Sequence, residues 1–541
     1  MEPRARTEQA MNEPTIMMPH QHAIRIGLLM AATALLMSWA LRHTEASFAD
    51  GLRYIRQAEQ IDRGAWRDGL IGSIDHPLHP LGIVMAHGLV GDEGPVAWQR
   101  AALALAFGCI VLLVIPLYLL ARDAFGDDTA WLGCLLVMAN PLLGSIVANV
   151  LSESSFLLFW TWGLWAAIRF LREGRFFWLP LTIGFGVLAY LSRPEGLLLP
   201  MGMVLTLGIL PLHRATRINW PRWRAAVAFL LLGSLVLAGP YMALKGSVGT
   251  KPAIARVLGL APMSPPDALE RDRPLPADQT TLETYRLATE RLFKVLRGVV
   301  SAPLLPLAAL GLLMLRPGPD RARTWLFFAV ILLASVIGLV RLHATGGYCT
   351  ARHGLIPGVI LTLAAAHGLT WLMARISIPG KWFGMAQERL LPGPAIWAIV
   401  LTLLVVIPRC RDCGPPTLDP FNVYRDTGAW LARNTRSNER ILDLTDWSLY
   451  FSRRPGYRFA HVYQAPADSQ VRWVVLRKPH LDGHWNYTKV VRELVGDRDP
   501  AVLVPANPRP GQIQLRIYDR FTRAARVAVG RSSDAEAATQ R

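Results

Sequence analysis

The hydrophobic positions of this chain gather into long blocks separated by short polar connectors. Mostly apolar runs fall near 24–41, 97–121, 129–147, 154–171, 177–192, 196–212, 225–244, 299–315, 324–341, 354–374 and 393–408. A helix needs about twenty such residues to cross a bilayer, so the pattern predicts eleven membrane spans. Several runs contain Pro or Gly, which membrane helices tolerate because their neighbours re-satisfy the backbone. After Pro408 the pattern becomes polar. Strand-like runs RILDL, VRWVVLR, AVLVP and IQLRIYD alternate there with helix-like YRDTGAWLARN and NYTKVVRELVGD. The fold class expected is a polytopic α-helical membrane protein with a small C-terminal α/β domain over 409–528, followed by a polar tail, 529–541, that reads as disordered.

Charge orients these blocks, because Lys and Arg concentrate in short cytoplasmic loops. Alternate connectors carry Arg169, Arg172 and Arg175; Arg214, Arg217, Arg222 and Arg224; Arg316, Arg321 and Arg323; and Arg375, Lys381 and Arg389. The connector 148–153 has no basic residue. The tail 1–23 is therefore expected in the cytoplasm. With an odd number of spans, loops 42–96 and 245–298 and the C-terminal domain lie outside the inner membrane. The first run could be a cleaved signal, and Ser38-Trp39-Ala40 loosely fits a cleavage site, but the polar tail before it lacks a compact basic region.

Composition agrees: 52% of the 541 residues are hydrophobic, 18 are Trp and only 18% are charged. The net charge of +18 could suggest nucleic acid. Much of the excess is Arg in the inner connectors and at helix ends, as topology and anionic headgroups require, and no nucleic-acid-binding motif is present. Of five cysteines, Cys410 and Cys413 form a lone CRDC pair. A structural zinc site would need a second pair, so a local disulfide or two free thiols is expected. No internal repeat stands out.

The informative charges lie in loop 42–96. Asp50 follows the first run by about nine residues, and Tyr54, Ala58 and Ile61 continue from it at helical spacing. Downstream, IDHPLHPLGIVMAHGL presents His76 and His79 between helix-breaking prolines at the expected outer surface. Glu153 sits at the outer start of the fourth run. An acid at a membrane edge is costly unless paired, hydrated or coordinated, so two on one rim suggest a general base or a metal-supported site.

SFADGLRY after the first run, HPLHPLG before the second and NVLSESSFLLFW opening the fourth, with LAYLSRPEGLLLP and GGYCTARHGLIP further on, resemble in order and placement the GT-C glycosyltransferases. The nearest subgroup holds the protein O-mannosyltransferases and lipid A aminoarabinose transferases, and the resemblance covers roughly residues 24–375. It implies that Asp50 is the catalytic acid of the first outer loop, with Tyr54 after it, and that Glu153 is the family's next acid. Gly51 stands where the family commonly has a second acid. His76-Pro77-Leu78-His79-Pro80 replaces a Pro-Pro-Leu-Tyr-Pro-like stretch, which exchanges a Tyr for His79.

The chemistry read from the residues fits that resemblance. The chain has no Gly-rich phosphate loop and no cytosolic domain able to hold a nucleotide, so no nucleotide cofactor is expected. The donor would be a polyprenyl phosphate sugar dissolved in the membrane lipids, and the acceptor a lipid, glycan or protein; nucleic acid is not an expected partner. Asp50 would act as general base. Tyr54, His76, His79, Tyr348, Arg352 and His353 are candidates to bind donor phosphate and substrate, and a divalent metal (Mg or Mn) held by Glu153 and Asp50 could neutralise the leaving phosphate. Arg193 and Glu195 are expected to pair with each other. In loop 245–298, TLETYRLATERLFKVLRGVV reads as an interfacial amphipathic helix with Leu282, Tyr285, Leu292, Phe293 and Leu296 on one side, either an anchor or a lid. The rival reading is a transporter or flippase of lipid-linked sugars, which would more often carry ionisable residues at mid-span.

Overall fold

The computed structural model describes residues 19–91, 93–212, 219–247, 251–262, 280–314, 319–375, 416, 419–483, 485–521 and 527–528. The expected span 393–408, the Cys410/Cys413 pair, the tail 529–541 and most of the Pro-rich part of loop 245–298 lie outside the described residues.

In chain order the membrane part runs α1 (Pro19–His43), α2 (Asp50–Asp62), α3 (Leu78–Val90), α4 (Pro95–Phe125), α5 (Asp127–Met138), α6 (Pro141–Ala148), α7 (Glu153–Glu173) and α8 (Trp178–Ser192). It continues with α9 (Leu198–Ile209), α10 (Trp220–Lys245), α11 (Pro252–Val257), α12 (Thr281–Val300), α13 (Leu304–Leu313), α14 (Pro319–Gly346) and α15 (Leu355–Arg375). The chain is a multi-pass membrane protein. Seven of the expected spans are helices long and apolar enough to cross a bilayer.

Among the described residues, three other expected spans take different forms. Run 129–147 is the pair α5 and α6, bent by 49°. The break follows from Asn140-Pro141: the Asn140 side chain accepts the Leu142 N–H at 3.1 Å, starting a new helix with Pro141 in its first turn. Run 177–192 is α8, 15 residues long. Run 299–315 is shortened to α13, which stands at 94° to α12. Ser301, at φ 76°, makes that corner, and Asn140 braces it by donating to the Val299 carbonyl at 2.6 Å.

The amphipathic helix α12 starts at a capping box between Thr280 and Glu283. Its buried stripe is Ala288, Leu292, Val295 and Val299, whereas Leu282 and Phe293 are exposed. The side that packs on the protein includes Val295 and Val299, which lie over Gly354 and Gly358 near the start of α15, while Leu282 and Phe293 of the expected apolar side point away from the protein. Farther on, a Cβ at Gly311 of α13 would lie 1.9 Å from the Ala364 carbonyl, and one at Gly368 would lie 2.1 Å from Leu307 O. Only glycine permits the two backbones to cross so closely, as in small-residue contacts between membrane helices.

Beyond residue 419 the chain forms α16 (Asn422–Asn434), β1 (Arg440–Asp443), α17 (Trp447–Ser452), β2 (Gly456–Arg458), β3 (Val471–Arg477), α18 (Lys478–Asp482), α19 (Tyr487–Val495), β4 (Val502–Val504), β5 (Leu515–Asp519) and β6 (Val527–Ala528). The strands make one mixed sheet in the order β2-β1-β3-β5-β4-β6. β1 is parallel to β2 and β3, and β5 runs antiparallel to β3 and β4. The near-continuous burial of β3 fits a central strand covered on both faces.

Candidate active site

The six residues between α1 and α2 carry no secondary structure of their own, so their backbone groups must bond elsewhere. Asn149, in the α6–α7 connection, accepts the N–H of Ser47 at 2.6 Å and of Phe48 at 2.8 Å through Oδ1. From the C-terminal domain, Pro420 O accepts the Ala46 N–H at 2.9 Å. Tyr424 Oη donates to Ala46 O at 2.5 Å, and Trp447 Nε1 donates to Phe48 O at 3.0 Å. Asp50 then opens α2. A Cβ at Gly51 would lie 2.1 Å from Asn149 O, so the absent second acid of the family pattern has a steric reason: no side chain fits there.

Asp50 is the middle of a continuous line of alternating charges. Lys251 lies 3.1 Å from Asp75, Asp75 is 3.0 Å from Arg53, and Arg53 is 3.2 Å from Asp50. On its other side Asp50 binds Arg352. Arg352 is 4.0 Å from Glu153, Glu153 is 2.6 Å from Arg193, and Arg193 is 2.7 Å from Glu195. Four cations thus face four carboxylates. They come from α2, the loop before α3, the start of α7, the turn after α8, the N-cap of α11 and the turn before α15. All these positions are ends or connectors of membrane helices rather than mid-span sites.

Electrostatics follow from this order. Burial alone would raise the Asp50 carboxyl, but Arg352, Arg53 and Lys251 together hold it well below the usual carboxylate range. Asp75 is likewise lowered, because Lys251 and Arg53 outweigh its burial, and Lys251 is held above its ordinary value despite burial, chiefly by Tyr54 and Asp75. Glu153 is only 1% exposed. Although Arg193 is close, neither Glu153 oxygen has a hydrogen bond among the described residues: the contact is an ion pair without the directional geometry of a bond.

Several expected site residues have other work. His79 is fully buried rather than presented at a surface. Its ring nitrogens reach Ser155 Oγ at 3.1 Å and Val150 O at 3.3 Å, which ties α3 to the start of α7. Tyr54 is buried beside it and accepts the Ser152 hydroxyl at 2.9 Å. His353 caps its own turn, with Nδ1 accepting the Thr350 N–H at 3.1 Å, and Tyr348 packs against that imidazole with centroids 5.8 Å apart. These contacts explain the four residues structurally. His76 differs: it is buried between Tyr190 and Tyr241, neither ring nitrogen has a bond among the described residues, and burial lowers its pKa to about 4.

The residues expected to hold a metal do not offer a free donor set. Both carboxylates assigned to it already face guanidinium groups, and a divalent ion between them would have to replace Arg352. Among the described residues no three His, Cys, Asp or Glu side chains are placed to share a metal. Arg193 also does more than pair with Glu195, since it is the direct partner of Glu153. Asp75, Arg53 and Lys251 are the members that sequence reading passed over. The acid inside IDHPLHP was the available signal for Asp75; nothing local marks Lys251.

Comparisons with known proteins bear on this architecture. Residues 94–238, from α4 into α10, match the family model described as dolichyl-phosphate-mannose-protein mannosyltransferase. No curated protein matches the chain. Among solved structures, the oligosaccharyltransferase AglB from Archaeoglobus fulgidus, in complex with an inhibitory peptide and a dolichol-phosphate, is similar with TM-score 0.54 and 12% identity, over 84% of this chain and 70% of that one. ArnT from Cupriavidus metallidurans bound to undecaprenyl phosphate is similar with TM-score 0.52 and 14% identity, over 93% of this chain and 99% of that one. The chain therefore has the GT-C fold that its motifs implied.

Proposed function

We propose that this protein is an inverting glycosyltransferase that moves a sugar from a polyprenyl phosphate carrier to an acceptor hydroxyl or phosphate at the outer face of the inner membrane. The observation that carries this reading is the Asp50–Arg352 pair at the centre of a charge line gathered at helix ends, on a fold similar to two proteins crystallised with polyprenyl phosphates. A lipid-borne phosphate rises only to the headgroup level, and helix ends are where protein charges can meet it.

In the reaction, the acceptor oxygen attacks the anomeric carbon as the bond from that carbon to the phosphate oxygen breaks. The bonding electron pair leaves with polyprenyl phosphate, and the acceptor proton passes to an Asp50 carboxylate oxygen. One displacement inverts the anomeric centre. Arg352 on one side of Asp50, and Arg53 with Lys251 on the other, supply positive charge for the departing phosphate. While paired with these cations Asp50 is a weak base, because basicity falls with pKa; a guanidinium that turns toward phosphate strengthens it. No step requires a metal. The placement of the charges at helix ends favours this reading over a transporter.

The test is direct. Purified protein given undecaprenyl phosphate mannose and an acceptor-containing membrane extract is expected to release undecaprenyl phosphate, to leave nucleotide sugars untouched and to keep its rate in the presence of a chelator. Efficient use of a nucleotide sugar without a lipid carrier would overturn the reading. Other lipid-linked sugars in the same assay identify the donor.

A further inference from the structure

The C-terminal domain does more than cover the site. Apart from Arg425, which donates to Gln99 of α4 at 2.6 Å, its hydrogen bonds to the membrane part among the described residues fall on one short stretch, Glu45 to Glu59, which contains Asp50. Ile513 N–H donates to Glu45; Pro420, Tyr424 and Trp447 take the Ala46 N–H, the Ala46 carbonyl and the Phe48 carbonyl. Nearly two turns beyond Asp50, Arg56 forms a two-pronged pair with Asp446 at 2.8 and 2.9 Å, and farther along Tyr450 Oη donates to Glu59 at 2.6 Å. The side chains are held in turn. Trp447 is buried against Phe421, with centroids 4.4 Å apart. Asp446 adopts φ 64°, a conformation uncommon outside glycine. Buried Asp443 organises the turn around it, accepting from Thr445 N and Oγ1 and from Leu449 N.

This concentration has a chemical meaning. From the membrane side, the backbone of residues 46–48 is held by Asn149 at Ser47 and Phe48, while farther along α2 Asp50, Arg53 and Tyr54 bond Arg352, Asp75 and Ser152. The other backbone groups of Ala46 to Phe48 that bond do so with the C-terminal domain. An acid whose work depends on a reacting atom about 3 Å away tolerates little displacement, and a shift of about 1 Å can cost on the order of a hundredfold in rate.

We propose that Asp446 and Trp447 of the C-terminal domain are positioning residues of the active site, fixing segment 46–56 and thereby the place of Asp50. The proposal rests on the reading of Asp50 as the base, yet its physical part can be measured without that reading.

The test uses the full-length protein in nanodiscs with the variants Trp447→Phe, which removes the N–H donor and keeps a ring, Asp446→Asn, Arg56→Gln and the double variant. Hydrogen exchange across residues 45–56 is expected to quicken on the order of tenfold in Trp447→Phe and Asp446→Asn, with peptides of α4 and α7 unchanged. With the donor that the wild-type enzyme turns over, starting from undecaprenyl phosphate mannose, kcat is expected to fall on the order of ten- to a hundredfold while KM for the donor stays within about threefold. Arg56→Gln combined with Asp446→Asn is expected to be no slower than either alone, since both remove one interaction. Unchanged exchange over 45–56, or quickened exchange with wild-type kcat, overturns the proposal. Asp50→Asn measured beside them separates the two ideas: if it keeps full turnover, the base assignment fails, while the exchange data still judge the clamp.

Discussion

The two ends of α7 solve the same problem, a buried carboxylate among arginines, in opposite ways. At its C-terminal end stands Asp123 of α4. Its Oδ1 accepts from Arg122 at 3.3 Å, its Oδ2 from Trp165 at 2.9 Å and Arg169 at 3.4 Å, and its carbonyl from Arg172 at 2.5 Å. Arg169 is further held by Glu173 at 2.6 Å and lies over Trp178. At the N-terminal end, Glu153 has charges beside it but no directional bond among the described residues, whereas a buried guanidinium Nε without a bond occurs at both ends, on Arg352 and on Arg169. A buried polar group left without a partner costs about 1–3 kcal/mol. The carboxylate at one end is already satisfied, whereas the other end keeps unspent hydrogen-bonding capacity for something that arrives. Charge density does not distinguish the two ends; the hydrogen bonding of the carboxylate does.

The sharpest break of this comparison is Asp50→Asn against Asp123→Asn. Removing the proposed base is expected to slow turnover on the order of a hundred- to ten-thousandfold, measured at matched membrane levels, while Asp123→Asn keeps wild-type turnover per folded molecule. Equal effects on turnover would erase the distinction between the two ends.

Arg352→Gln comes next, with an expected loss on the order of a hundred- to a thousandfold for a missing charge on the leaving phosphate. It also has a pH signature. Asp50 is held below its ordinary value by Arg352 first among its cationic neighbours, so in the wild type it stays ionised well below pH 4. A depressed native pKa contributes stability that is present above the unfolded value of about 3.9 and is lost as pH falls toward the native value. In Arg352→Gln the Asp50 pKa rises, so the acid limb of the rate profile is expected to move to higher pH. A limb that stays in place would separate Arg352 from Asp50 in function.

For Asp123→Asn the expected effect is on stability, a loss of about 1–3 kcal/mol from disturbed buried hydrogen bonds, read as a lower unfolding temperature in detergent. The smallest effect is expected from Glu59→Gln. Glu59 lies on the helix of Asp50 and takes a bond from Tyr450, but an amide oxygen can still accept it, so activity and unfolding temperature should match the wild type. A large loss there would mean that the charge of Glu59, rather than its hydrogen bond, holds α2.

Much was legible before any fold was known. Eighteen to twenty apolar residues in a row have few destinations other than lipid, and the strands RILDL and VRWVVLR carry enough β-branched and apolar residues to declare themselves. Asp50, Glu153 and Arg352 were visible as costly charges beside apolar runs, and they do lie in one line of ion pairs. The breaks at Asn140-Pro141 and Ser301 were not foreseen, because a continuous apolar run reads the same whether straight or bent. His79 read as a ligand at the outer surface and Tyr54 as a substrate-binding candidate because sequence gives a residue's chemistry but not what lies over it.

What the chain determined alone is therefore whatever depends on local content: the apolar lengths, the helix caps and the residue types able to do acid–base chemistry. What only the tertiary structure decided is who faces whom. Asp50 and Arg352 are 302 positions apart, and Arg56 and Asp446 are 390 apart. The energy of a charge pair falls with distance in space and is indifferent to distance along the chain. No local pattern could say that Lys251, near the start of loop 245–298, ends a line of eight charges, or that a domain beyond the last described span holds the helix on which Asp50 sits.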